Sequence, residues 1–191
     1  MHYRLFNGLM KRGCEAFAGN YRGSAGCLAN YVVVITDGKT AIQTAASADV
    51  SASMATLSAE IAEDFDALAG AGGAAGLQTM NDVVGWLDIA MERMVSFLGI
   101  HPYADGNGHI GRFMMFCYLS AAGIWPNNWP LDDRPPHPYD EAIAAFRNGY
   151  VDGLRDVMLQ YISWQPTLAS PSALAAPAIL PALPGPTVDH S

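Results

Sequence analysis

Cysteine is scarce in this chain of 191 residues, which has three, at positions 14, 27 and 117. Their odd number and the lack of Cys-x-x-Cys spacing argue against a disulfide framework and a cysteine-ligated zinc site, so we expect buried free thiols. No apolar run approaches the roughly 18 residues that cross a bilayer, and residues 1–10 lack a signal-peptide pattern. These absences predict a cytoplasmic protein with no membrane partner.

Positive charge is also in short supply. Ten Lys and Arg residues stand against eighteen Asp and Glu, which gives a formal net charge of −8. Affinity for nucleic acid that does not depend on sequence needs clustered cations along the phosphates. The composition therefore argues against a nucleic-acid partner and leaves room for a local anion site only.

The last segment of the chain differs in composition from the rest. Residues 165–191 hold six of the twelve prolines and no Lys or Arg, so this segment cannot sustain a helix or bury a packed face. We predict one domain over residues 1–163 and a disordered or extended tail over 164–191. A domain of this length buries a sizeable core.

Apolar residues at helical spacing predict four helices, and one segment predicts two strands. The helices are expected over 51–68, 81–100, 111–123 and 139–162, with Asn81 as the N-cap of the second. Between residues 31 and 44, Asp37-Gly38 separates β-branched residues, which is a hairpin signal. The sequence thus predicts a mainly α fold with one small β-hairpin.

The segment His101-Pro-Tyr-Ala-Asp-Gly-Asn-Gly-His-Ile-Gly-Arg112 joins the two best-predicted helices. A helix start presents free backbone N–H groups, and the glycines around it let an anion approach them. Arg112 can bind phosphate as a fork, and Asp105 can hold the Mg²⁺ that accompanies polyphosphates. His101, with an unperturbed pKa of about 6.5, suits a general base. The pattern indicates a phosphate site with a base beside it.

This loop resembles the signature of the Fic/Doc family, His-Pro-(Phe/Tyr)-x-(Asp/Glu)-Gly-Asn-Gly-Arg-x-x-Arg. The chain matches the signature at every specified position except His109, where the family usually has arginine. Gly19-Asn-Tyr-Arg22 resembles the family's Gly-x-(Tyr/Phe)-Arg segment, and the hairpin resembles its flap. The resemblance covers about residues 1–163 and implies a Fic-like helical core with a β-hairpin flap.

The resemblance also implies an activity, protein adenylylation, in which AMP passes from ATP to a Ser, Thr or Tyr hydroxyl of a target protein and pyrophosphate is released. His101 would be the base and Asp105 the Mg²⁺ ligand. The expected nucleotide-binding residues are Gly106, Asn107, Gly108, His109 and Arg112. The expected target-binding residues of the flap are Val33, Val34, Ile35, Thr36, Asp37 and Gly38.

Other functions stay open at this point. His109 replaces an arginine, so the phosphate site lacks a permanent cation, and a different nucleotide-type donor is one alternative. Transfer of the γ-phosphoryl group is a second alternative. Gly108 argues against it, because the phosphorylating branch of the family has lysine at this position. Another alternative is a non-catalytic nucleotide-binding or interaction module. The presence of His101 and Asp105 argues against it, because such a module needs no base. A metal hydrolase built on His101, Asp105 and His109 would make poor use of the intervening Gly-Asn-Gly.

Many members of the family restrain themselves with a glutamate that pairs with the second motif arginine, here Arg112. The nearest match to that inhibitory motif is Thr56–Glu60, but Ile61 follows where the motif has Gly or Asn. We therefore expect that the chain does not inhibit itself. The inhibitory glutamate would come from a separate antitoxin-like protein or from a segment outside these residues.

Overall fold

The computed structural model describes residues 2–10, 12–24, 26–36 and 41–164. Within these ranges the chain is mainly helical, which confirms the predicted fold class. Asp37 and Gly38 of the expected flap, and the expected tail from residue 165 onward, lie outside the described residues. The α-helices are α1 His2–Phe6, α2 Val50–Gly70, α3 Met80–Ile100, α4 Asn107–Ala121, α5 Tyr139–Arg147 and α6 Asp152–Leu159.

Two short antiparallel pairings accompany the helices. Strands β1 (Val34–Thr36) and β2 (Ala41–Gln43) form the expected hairpin, with Ile35 opposite Ile42. Strands β3 (Trp125–Pro126) and β4 (Ile162–Ser163) pair between distant parts of the chain. The second pairing was not expected from the sequence, because it joins residues that are far apart in the chain.

Helix α3 is the centre of the core. It begins with a capping box in which the Thr79 side chain accepts from the backbone N–H of Asp82, while the Asp82 carboxylate accepts from that of Thr79. The N-cap is therefore Thr79, and the prediction of Asn81 from the sequence was wrong. The apolar side of α3 is buried against α4, α5 and α6 through fully buried residues such as Leu87, Met91 and Met94.

The predicted helix over 139–162 is two helices. The chain turns at Asn148 and Gly149, where Gly149 has φ of +88°, a backbone conformation that favours glycine. Tyr150, which the helical spacing placed on the buried stripe, is 72% exposed. The expectation of one continuous helix was wrong because local turn residues overrode the apolar spacing.

The structure tests the predicted burial of the cysteines and the predicted lack of a membrane-spanning segment. Cys14 and Cys117 are half-buried and Cys27 is exposed, so the prediction of buried thiols was wrong for Cys27. Among the helices of the described ranges, none combines the length and apolarity that a membrane-spanning segment requires.

Arg22 ties the hairpin to the end of α3. This side chain is only 1% exposed, and it donates to the backbone carbonyls of Ile100 at 2.8 Å and His101 at 2.7 Å. On the hairpin side it donates to the Tyr31 carbonyl, the Thr44 hydroxyl and the Ala45 carbonyl. One guanidinium thus holds both flanks of β1–β2 against the residue that follows α3.

Replacing Arg22 with lysine is expected to lower the free energy of unfolding by about 3 kcal/mol, because one ammonium cannot reach acceptors on both sides and leaves buried carbonyls without donors. Urea unfolding followed by circular dichroism measures the loss. The exposed Arg12 provides the control, since Arg12→Lys should change stability by less than about 0.5 kcal/mol. Equal stability of the two variants would contradict the role given to Arg22.

Candidate active site

His101 is held in an uncommon backbone conformation where α3 ends. Its φ is +51°, in the left-handed region that residues other than glycine rarely adopt. The backbone N–H of His101 donates to the Phe97 carbonyl at 2.9 Å, and its carbonyl accepts from Arg22 at 2.7 Å. A strained backbone of this kind persists only where surrounding hydrogen bonds hold it in place, and it is common at functional sites.

The loop after His101 is closed by the side chain of Asn107. Its Oδ1 accepts from the backbone N–H of Tyr103 at 3.0 Å, and its Nδ2 donates to the Tyr103 carbonyl at 2.8 Å. Asn107 is 2% exposed. The side chain therefore shapes the loop, and the phosphate contact predicted for it stays a prediction that would use its second amide hydrogen.

Asp105 and Gly106 bring the chain into α4. Asp105 Oδ1 accepts from the Gly106 backbone N–H at 2.7 Å, and Gly106 is the N-cap, with φ of +78°. The first N–H groups of α4 have no partner within the helix and carry its partial positive charge. The backbone thus presents donors at the place where the sequence predicted an anion.

A cavity of about 350 Å³ opens over this loop. It brings together His101, the loop from Ala104 to His109, Arg112 and the segment Asp132–Arg134. The structure therefore places His101, Asp105, Gly106, Asn107, Gly108, His109 and Arg112 around one space.

Arg112 is a buried cation without a carboxylate partner among the described residues. It is 5% exposed, and its Nη2 donates to the backbone carbonyls of Leu131 at 3.2 Å and Asp132 at 3.1 Å. A Cβ atom at Gly108 would lie 3.2 Å from Nη1. The guanidinium is fixed from the far side and lies directly beside the glycine loop.

A second cavity, of about 150 Å³, lies between the hairpin and α5. It shares His101, Gly108, Arg112 and Arg134 with the first cavity, so the two meet at these residues. Its remaining wall is largely apolar and comes from Ile35, Ile42, Leu98, Tyr139, Asp140, Ile143 and Arg147.

Unpaired buried polar atoms are concentrated in residues that line the second cavity. In the described part of the chain, four buried side-chain nitrogen or oxygen atoms lack a hydrogen-bond partner, and three of them belong to residues of the second cavity: His101 Nδ1, Arg112 Nε and Arg147 Nε. Buried polar groups are normally paired. Unpaired donors of this kind are what a ligand rich in hydrogen-bond acceptors would satisfy.

The ionisation of His101 follows from its surroundings. Burial is the largest influence on the pKa of its imidazole and lowers it below the usual value, although the Leu98 backbone carbonyl opposes this shift. The charges of Arg22 and Arg147 lower the pKa further, and Asp105 has the smallest, raising, effect. The ring is therefore neutral at pH 7. Nδ1 is a buried ring nitrogen, and the residue lines both cavities.

Comparison with known proteins agrees with this geometry. The family model described as Fic/DOC family matches residues 1–119, which is more than half of the chain. The chain belongs to the Fic/DOC family. No curated protein and no solved structure matches it significantly. Helices α5 and α6 lie beyond the segment that the Fic/DOC model matches.

The expected flap residues of this Fic/DOC chain are placed unequally. Ile35 lines the second cavity, Val34 is 54% exposed, and Val33 precedes β1 and accepts from the Thr44 hydroxyl through its carbonyl at 2.7 Å. Thr36 ends β1. Their contacts with a target protein stay a prediction.

Arg147 was missed by the sequence analysis, because no motif contains it. Its position could have indicated a role, because Arg147 follows Ile143 by four residues and so places a cation on the apolar face of a predicted helix. In the structure both residues line the second cavity. Arg134, which pairs with Asp140 at 2.7 Å, was missed because its segment has no regular pattern.

Gly106→Ala is expected to destabilise the fold by about 1–3 kcal/mol, because a Cβ would lie 2.5 Å from Cζ of Phe6 and φ is positive. Phe6→Ala removes the obstructing ring. In that background Gly106→Ala should cost less by about 1 kcal/mol, as residues in contact are not additive. Chemical denaturation of the four proteins measures this, and equal costs in both backgrounds would contradict the contact.

Proposed function

We propose that the chain is a protein adenylyltransferase, which transfers AMP from ATP to a Ser, Thr or Tyr hydroxyl of a target protein and releases pyrophosphate. The observation that carries the proposal is the position of His101, a neutral base that lines both the cavity over the glycine loop and the second cavity beside it. The proposed place of action is the cytoplasm.

The reaction assigns one task to His101. The target hydroxyl oxygen attacks the α-phosphorus, the bond from that phosphorus to the bridging oxygen breaks, and pyrophosphate leaves. Nε2 of His101 accepts the hydroxyl proton. Buried and beside two guanidinium groups, the imidazole is in its basic form when the substrate arrives.

The loop and Arg112 would bind the phosphates. The free N–H groups at the start of α4 donate to phosphate oxygens, and Arg112 neutralises the terminal phosphate from the side of Gly108. His109 is exposed at the cavity rim, edge-on to Phe6 at 6.0 Å, and adds a weaker donor than the usual arginine.

A magnesium ion fits Asp105. The carboxylate is exposed at the cavity, and in the described ranges no group of three His, Cys, Asp or Glu side chains could hold a metal alone. Mg²⁺ commonly binds through one carboxylate together with substrate phosphates. When bound, the ion would neutralise charge on the phosphates and on the departing pyrophosphate.

The flap supplies a surface for the target. In the described part of the chain β1 pairs with β2 only, so its other edge has free backbone groups, and Val32 and Val34 are 76% and 54% exposed beside it. An extended segment of the target would add to this edge as a strand. Backbone pairing of this kind tolerates many target sequences.

The environment of Arg112 supports restraint by another molecule. Glu60 pairs with Arg93 at 3.1 Å, and no carboxylate in the described ranges forms an ion pair with Arg112. The proposed inhibitor is an antitoxin-like protein that places a glutamate on Arg112 and blocks the terminal phosphate.

Labelled ATP tests the reaction class. Incubation of the chain with a cell lysate, Mg²⁺ and ATP labelled at either the α- or the γ-phosphorus should label protein from the α-labelled form only. Label from the γ-phosphorus would instead indicate phosphoryl transfer, and no label from either would favour a non-catalytic module. Mass spectrometry of the labelled band then identifies the target residue.

His101→Ala should lower the transfer rate by about 10²–10⁴-fold, which is the usual contribution of a general base, while the affinity for a non-transferable ATP analogue stays within a few-fold. The matched control is His137→Ala, since His137 begins a second His-Pro-Tyr and its side chain is 81% exposed. That variant should retain full activity. Near-normal transfer by His101→Ala would contradict the assignment of the base.

The pH profile tests the environment of His101. Because its pKa lies below the usual 6.5, the base form persists in mild acid, and the acid limb of the rate should have its midpoint below pH 6.5. Arg147→Met removes a neighbouring positive charge, so it should shift this midpoint to higher pH and weaken analogue binding about tenfold. A midpoint above 6.5, or one that Arg147→Met leaves unmoved, would contradict the account.

A further inference from the structure

His2 is buried beneath the active-site loop, and the proposed reaction gives it no task. Its side chain is 1% exposed. Nε2 lies 3.0 Å from the backbone carbonyl oxygen of Asp105, and Nδ1 accepts from the backbone N–H of Gly19 at 2.9 Å. One imidazole therefore connects α1, the segment before Arg22 and the loop.

The hydrogen bonds of His2 define its tautomer. The backbone N–H of Gly19 can only donate, so Nδ1 is the acceptor and the proton is on Nε2. Nε2–H therefore donates to the Asp105 carbonyl. Both ring nitrogens are satisfied in this neutral tautomer, which explains how a polar ring is buried here.

The ring is also fixed by stacking. It lies 4.5 Å from the ring of Phe6 and 3.8 Å from that of Tyr103, at interplanar angles of 25° and 14°. Tyr103 is the residue whose backbone Asn107 holds. His2 thus contacts the loop at two points, the Tyr103 ring and the Asp105 carbonyl.

The bond to the Asp105 carbonyl acts on the next amide. The carbonyl of Asp105 and the N–H of Gly106 belong to one planar peptide, so they point in opposite directions. His2 holds the oxygen on the buried side, and on the other side the N–H donates to the carboxylate of Asp105 at 2.7 Å. Rotation of this peptide would break both bonds and release the carboxylate.

We propose that His2 is a positioning residue of the active site, which acts through the Asp105–Gly106 peptide to orient the Asp105 carboxylate and the start of α4 toward the donor phosphates. The part that concerns the donor rests on the proposed function. The orientation of the peptide is a property of the chain without any ligand.

Two substitutions separate the hydrogen bonds of His2. In His2→Gln the side-chain amide nitrogen lies about as far along the side chain as Nε2 and keeps a donor for the Asp105 carbonyl. In His2→Asn the side-chain oxygen replaces Nδ1 and keeps the bond from Gly19, but it cannot reach Asp105. Both variants lose the stacked ring, so a purely structural role predicts similar losses for both.

Calorimetry with Mg²⁺ and a non-transferable ATP analogue compares the variants, with thermal unfolding measured in parallel. We expect His2→Asn to lose about 10–100-fold in affinity, as substitutions that disturb the support of a metal ligand do, and His2→Gln to lose less than about threefold. Both should lower the Tm similarly. Arg4→Gln, an exposed position on α1, is the control and should change neither.

Amide hydrogen exchange of Gly106, followed by nuclear magnetic resonance without a ligand, separates this proposal from the proposed function. Exchange should be at least tenfold faster in His2→Asn than in the original chain and in His2→Gln. Faster exchange in His2→Asn would support the positioning role even if the original chain bound no analogue. The lack of analogue binding would overturn the proposed function only. Equal exchange in all three proteins, or equal loss of affinity in both variants, would overturn the positioning role.

Discussion

The hydrogen bonds of the buried Arg22 guanidinium fix the end of α3 and the hairpin relative to each other. They hold the carbonyls of Ile100 and His101 on one side and both flanks of the hairpin on the other. This junction adjoins the left-handed backbone of His101, and the hairpin that it holds carries Ile35 to the second cavity. A guanidinium suits the task because its donors are fixed in one plane and point in several directions.

Local positive charge in an acidic chain gives the site its character. The chain has a net charge of −8, yet Arg112, Arg134 and Arg147 line one cavity with His101. Of these cations only Arg134 forms an ion pair in the described ranges, and buried nitrogens of Arg112 and Arg147 lack acceptors. A buried donor without a partner is costly unless a ligand supplies one. The proposed anionic donor would supply the missing acceptors.

The sequence predicted what depends on local pattern and missed what depends on contacts between distant segments. Helical spacing located α2, α3 and α4, and the loop motif located the site, because each is encoded within a few turns of chain. The Thr79 cap and the break at Gly149 were missed because capping and turn residues compete with apolar spacing over one or two positions. No local pattern encodes the bond of His2 to Asp105 or that of Arg22 to Ile100, because each joins residues more than 40 positions apart. The same holds for the place of Arg147 in a cavity that it shares with Ile35.

In the proposed complex the donor binds across the two cavities with its α-phosphorus facing His101. A crystal structure of the chain with a non-transferable ATP analogue and Mg²⁺ measures this directly. We expect phosphates over Gly106–Gly108, the ion on Asp105, the terminal phosphate on Arg112 and the α-phosphorus in front of His101 Nε2. An analogue bound elsewhere, a γ-phosphorus in front of Nε2, or a metal held jointly by His101 and His109 would contradict it.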